Sequence, residues 1–197
     1  EDFHRFWPKW CQPLVDILLP DIVRYAVKLV QLDEDFLDGM DIDADTRSRR
    51  WLLSDIIMEI ADIIGQTRIF DIFLRLLSDD HVDALEWKYY EAILFCVATH
   101  NTVSGTASEN ERARHQHPLY QIFETIIHLK ATQFASVRKR AISVFGYHSS
   151  FLDTNGVILR RYFYTFIIDT LRGGGYDEET KNLAANALKT FCEHNKI

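Results

Sequence analysis

The sequence predicts an all-α fold assembled from helix pairs, and three observations predict it. Apolar residues recur at helical spacing, and no stretch of four or more alternates cleanly enough to read as a strand. Backbone punctuation is sparse: 197 residues hold eight glycines and four prolines. That is about half the usual share, whereas an all-β chain needs a turn every strand or two. A small-large-large pattern also returns along the chain, at Ala92-Ile93 with Cys96, Ala141-Ile142 with Phe145, and Ala187-Leu188 with Phe191.

Eight helices are expected. The first covers Gln12–Gln31, bent or broken at Pro20, because an interior proline removes a backbone bond and clashes with the preceding turn. The second covers Thr46–Ile64 and stops at Gly65, a C-terminal cap. Shorter helices follow over Ile69–Leu77 and Ala84–Thr99. The next, His117–Leu129, carries Leu119, Ile122, Phe123, Ile126 and Ile127 on one stripe. Ala135–His148, Thr154–Leu171 and Asp177–His194 complete the set, with Gly173-Gly174-Gly175 as a turn between the last two. Segments 33–45, acidic and poor in apolar residues, and 101–115, rich in Ser, Thr, Asn and charge, read as exposed loops.

The recurring pattern repeats at about 46–49 residues, and its first interval contains the long 101–115 loop, leaving a unit of roughly 40–47 residues. That is the length of a two-helix HEAT-type repeat. One such pair cannot bury its own apolar face, so pairs stack into a solenoid. Repeat-like units fall over 12–65, 66–100, 117–150 and 154–195, making about four antiparallel pairs. The alternative is a single irregular helical domain.

Composition narrows the classes. A chain 47% hydrophobic and 26% charged is ordinary for a soluble globular protein, and no apolar run reaches the ~18 residues of a membrane span. The start, Glu1-Asp2-Phe3, has no initiator Met and no signal peptide, and reads as a cut end within a longer protein. Cys11, Cys96 and Cys192 lie in apolar stretches and read as buried free thiols of a reducing compartment. The net charge of −7 disfavours a general nucleic-acid surface.

The order of local features is more specific than the period. Phe6-Trp7-Pro8-Lys9-Trp10 precedes the first helix; an acidic loop then leads into Arg47-Ser48-Arg49-Arg50 and a long apolar helix ending at Ile64-Gly65. Next comes Trp87, then Glu91-Ala92 and Leu94-Phe95 on one helix. This order resembles the middle repeats of importin-β-like nuclear transport receptors (karyopherins). Ile126-Ile127-His128-Leu129, Ser136-Val137-Arg138, Val144-Phe145-Gly146, Phe151-Leu152-Asp153 and Ala184-Ala185-Asn186-Ala187-Leu188 are similar to the transportin-SR and importin-13 branch. The likeness runs collinearly over the whole chain; Tyr89-Tyr90 and the polar 101–115 loop depart from it.

The resemblance implies central-to-late repeats of a superhelical receptor present in cytoplasm and nucleus. Such a receptor holds protein cargo on its concave face, lined by the second helix of each repeat. It answers to Ran-GTP through N-terminal repeats outside this chain, and contacts Phe-Gly nucleoporins on its outer face. It implies no enzyme activity, no cofactor, no direct nucleic acid and no membrane. A HEAT-repeat scaffold of another pathway, phosphatase or cytoskeletal, is the alternative.

Candidate contacts are few. Arg138-Lys139-Arg140 lies on an expected inner helix of an otherwise acidic chain and reads as a basic patch for acidic cargo. The competing reading packs the Arg138 stem along the helix stack and leaves Lys139 and Arg140 solvated. Arg160-Arg161 with Arg172 forms a second basic set on an outer helix, and Trp7 and Trp10 flank Pro8 as aromatic anchors or packing residues. The acidic run Asp33–Asp45 attracts basic cargo, mimics it by contacting basic inner helices, or is simply solvated; Asp41-x-Asp43-x-Asp45 lacks the Gly and Glu of a calcium loop. His115-x-His117 has no further ligand at zinc spacing, and a helical enzyme around those histidines is the weakest class. His128 and His148 read as packing or cap residues, and Cys96 as a protonated, inert thiol. Gly173-Gly174-Gly175 is no phosphate loop, since no Lys-Ser/Thr follows and no strand precedes it.

Overall fold

The computed structural model describes residues 12–32, 42–78, 86–100, 117–154 and 157–195. Among them all regular structure is helical: α1 (Gln12–Val30), α2 (Ala44–Ile64), α3 (Gln66–Leu77), α4 (Trp87–Thr99), α5 (Pro118–His128), α6 (Ala135–Tyr147), α7 (Ser149–Thr154), α8 (Val157–Arg172) and α9 (Glu178–Asn195). A 3-10 turn, Lys130–Gln133, joins α5 to α6. None of these helices is long and apolar enough to cross a membrane.

The boundaries follow local chemistry. Asp43 caps α2, its carboxylate accepting from the Thr46 backbone N–H at 2.9 Å, so the helix starts a little before the expected Thr46. Gly65 closes α2 and opens α3 at φ 96°, a left-handed value that disfavours any residue with a Cβ. The expected break at Pro20 does not occur: α1 is continuous through it. Leu19, just before the proline, and Val23, Ala26, Val27 and Val30 after it are all buried on one stripe, so the turns on either side share one packing face. α7, a short helix between α6 and α8, is not among the eight expected helices.

The helices pack in an alternating order. α3 packs on α5 and α5 on α8, forming one row; α4 packs on α6 and α6 on α9, forming a second. α1 packs against α2 and α4, and α2 also touches α3 and α4. Phenylalanines fill the space between the rows. Phe123 of α5 stacks on Phe145 of α6 at 5.2 Å, Phe145 meets Phe163 of α8 at 5.7 Å, and Phe163 meets Phe191 of α9 at 4.8 Å. All four rings are fully buried. Each fills core volume and aligns its neighbours by the preferred geometry of aromatic pairs.

Candidate functional site

A groove of about 360 Å³ opens where α2, α4, α6 and the first turns of α9 meet. Three charged side chains form its floor. Arg50 of α2 and Glu91 of α4 are each only 1% exposed. The Arg50 Nη2–H donates to Glu91 Oε2 at 2.6 Å, and the Arg140 Nε–H, from α6, donates to Glu91 Oε1 at 2.6 Å. One carboxylate thus bridges two guanidiniums and ties three helices together. Both guanidiniums also lie over the Phe95 ring, at 4.4 Å and 4.9 Å from its centre.

The charges in this cluster do not balance. Among the described residues two guanidiniums face one carboxylate, and the Nε and Nη1 of Arg50 are buried without a hydrogen-bond partner. Burial pulls the Arg50 guanidinium below the usual arginine range; Glu91 opposes this, while the like charge of Arg140 adds to it. Arg140 is partly exposed and spends only its Nε on Glu91. Arg47 and Lys139 add further positive charge to the walls, against Glu179. Trp51 and Tyr147, 48% and 61% exposed, border the same groove, and Trp51 meets Phe95 edge-on at 5.5 Å.

Arg138, Lys139 and Arg140 are adjacent in sequence but serve three different surroundings. Arg138 is buried: its Nε–H donates to the Thr170 hydroxyl at 2.8 Å, and its guanidinium lies over the rings of Phe166 and Tyr176 at 4.4 Å and 4.5 Å. Burial lowers its pKa, against the pull of Tyr176 and Asp169. Gly173 makes room for this arrangement, since a Cβ there would fall 2.6 Å from the Tyr176 ring. Lys139 pairs with Glu179 and, at 3.2 Å, with Asp177 ahead of α9. Burial alone would lower its pKa, but the two carboxylates hold it above the ordinary lysine value. Lys139 and Arg140 face the groove, and Arg138 packs instead between α6 and α8.

The residues missed from sequence are Arg50, Glu91 and Trp51. The signal for Arg50 was present: it occupies the buried stripe of α2 with Ser54, Ile57 and Ala61, so it needed an internal partner. Glu91 is the one acidic residue in the wholly buried run 89–98, which poses the same question from the other side. Arg160, Arg161 and Arg172 do not converge; the last lies three turns, roughly 17 Å, along α8 from the first two.

Histidines gather elsewhere, around Phe70 of α3. His100, His117 and His148, at the ends of α4, α5 and α6, have ring centres 5.8–6.5 Å from it. Burial holds all three below the ordinary histidine pKa, His148 down to about 4. His100 Nδ1–H donates to the Cys96 carbonyl at 2.6 Å, and His148 Nε2–H to the Val97 carbonyl at 2.9 Å. Among the described residues, no group of three or more His, Cys, Asp or Glu is placed to hold a metal ion. His115, Trp7, Trp10, Cys11, residues 33–41 and the 101–115 loop lie outside the described residues. Cys96 is free and buried, its thiol pushed up to about 12 by desolvation, while Cys192 is free and half-buried.

No protein-family model matches the chain, and no curated protein matches it well enough to count as a relative.

Proposed function

We propose that this chain is a protein-binding section of a helical-repeat solenoid, working within an importin-β-like nuclear transport receptor. The observation that supports it best is the alternating packing of the helices. Rows α3-α5-α8 and α4-α6-α9 are what stacked two-helix units produce. The collinear likeness set out above gives that architecture a function, and the cytoplasm and nucleus as its places of work. Cargo binds on the second row, where the groove offers guanidinium donors and exposed aromatic rings. Phe-Gly nucleoporins meet the first row. The protein works by binding and performs no chemistry.

Release in this reading comes from Ran-GTP acting on distant N-terminal repeats. Small shifts at successive repeat interfaces add along a solenoid, so a modest bias moves distant surfaces. The test is capture by the full-length protein, with and without Ran loaded with a non-hydrolysed GTP analogue. Ran-GTP is expected to bind and to change the amount of cargo held. A partner held on the second row with no response to Ran-GTP would place the chain in a scaffold of another pathway and overturn the transport reading.

A further inference from the structure

We infer that the groove between α2, α4 and α6 receives an acidic side chain of a partner polypeptide, bound by Arg50 and Arg140 and flanked by Trp51 and Tyr147. The inference deepens the proposed cargo-binding reading and rests on it for the partner being a protein. Its own support is local. Arg50 is 1% exposed, yet among the described residues its Nε and Nη1 have no acceptor, and unmet buried donors of a charged group are costly. Glu91 has already given one oxygen to each guanidinium, so it neutralises only half of their charge.

A second carboxylate would balance the cluster and supply acceptors for the donors left over. Arg140, partly exposed and bonded only through Nε, is the side chain that reaches from the cluster toward solvent. Leu32, Ile42 and Leu183 line the same groove and give an apolar residue beside the acid a surface to cover. The positive groove stands out in a chain of net charge −7, so an acidic segment is attracted to it where the chain as a whole would repel it.

The probe is a fluorescein-labelled octapeptide of alternating glutamate and leucine, titrated by anisotropy into the 197-residue chain. Its glutamine-leucine counterpart and an octauridine RNA serve as comparisons. The acidic peptide is expected to bind, more weakly as salt rises, and about tenfold more weakly to the Arg140→Gln/Trp51→Ala variant. Both positions are solvent-accessible and the buried Arg50–Glu91 pair is left in place, and an unchanged helical circular-dichroism spectrum is the check that the variant is folded. Arg161→Gln, on exposed α8 surface, is expected to leave binding unchanged. The Arg50 Nε–H resonance should shift on addition of the acidic peptide and not of the glutamine peptide.

Equal binding to the double variant, no binding of the acidic peptide, an unmoved Arg50 signal, or tighter binding of the RNA would each overturn the inference. If peptide binding fails while Ran-GTP-sensitive capture persists, the groove chemistry is wrong and the transport reading stands. If the peptide binds as described with no Ran-sensitive partner, the reverse holds.

Discussion

Glu91 is the residue on which the groove depends. It holds guanidiniums from α2 and α6 on its two oxygens while nearly fully buried. Replacing it by glutamine keeps the shape but leaves two buried-side cations facing each other. Removing one partner of a buried ion cluster is far more damaging than replacing the whole cluster by apolar groups. Glu91→Gln is therefore expected to destabilise the chain by roughly 3 kcal/mol in urea unfolding. Adding Arg140→Gln should recover part of that loss, because the residual repulsion is gone. A Glu91→Gln cost near zero would mean that the cluster does not hold the helices together. The run 138–140 shows why such residues were only half legible. Three consecutive side chains on a helix point about 100° apart, so a basic triplet never makes a single patch. Spacing showed that the residues were basic and helical; which of them met solvent depended on Thr170, Tyr176 and Glu179 arriving from α8, the turn after it and α9.

Elements were more legible than side-chain partners, because helical periodicity is a local signal. The helices appear close to where their apolar stripes put them, and the departures have local causes. Pro20 carries a real cost, but α1 offsets it by burying the same face before and after the proline. α7 is one and a half turns long, too short for a stripe to register. Gly65 was legible as a stop and is also the start of α3, a role that only its backbone shows. Its φ of 96° comes with open space around the Cβ position, so an added methyl group meets no neighbour and the cost is purely conformational. Gly65→Ala should lose about 1 kcal/mol, read as a lower denaturation midpoint. Gly174→Ala, with similar space and no left-handed φ, should be near neutral. Equal losses at both sites would contradict this account.

At the scale of the molecule, the two rows are held together by a buried aromatic core, and titratable rings are built into it. Phe70 of α3 is surrounded by histidines from the ends of α4, α5 and α6, and Phe123 meets His148 at 6.5 Å. These histidines must be neutral to fit, each with its pKa below the free value. The sign follows from linkage. Between pH about 6.5, the unfolded value, and about 4, the folded value of His148, the unfolded chain binds the proton and the folded chain does not. Stability is complete above that window and falls as pH drops through it, by about 3 kcal/mol from His148 alone. His100 and His117 shift in the same direction and steepen the fall; Asp62 acts on His100 in the opposite sense. Because the three rings come from three helix ends, their protonation should loosen both rows at once and not one helix. Urea midpoints measured at several pH values across the window test this. The wild-type chain should weaken steadily toward pH 4, and His148→Gln should flatten that slope while lowering stability at neutral pH. An unchanged slope in His148→Gln would remove His148 from the account and leave the acid sensitivity to other groups.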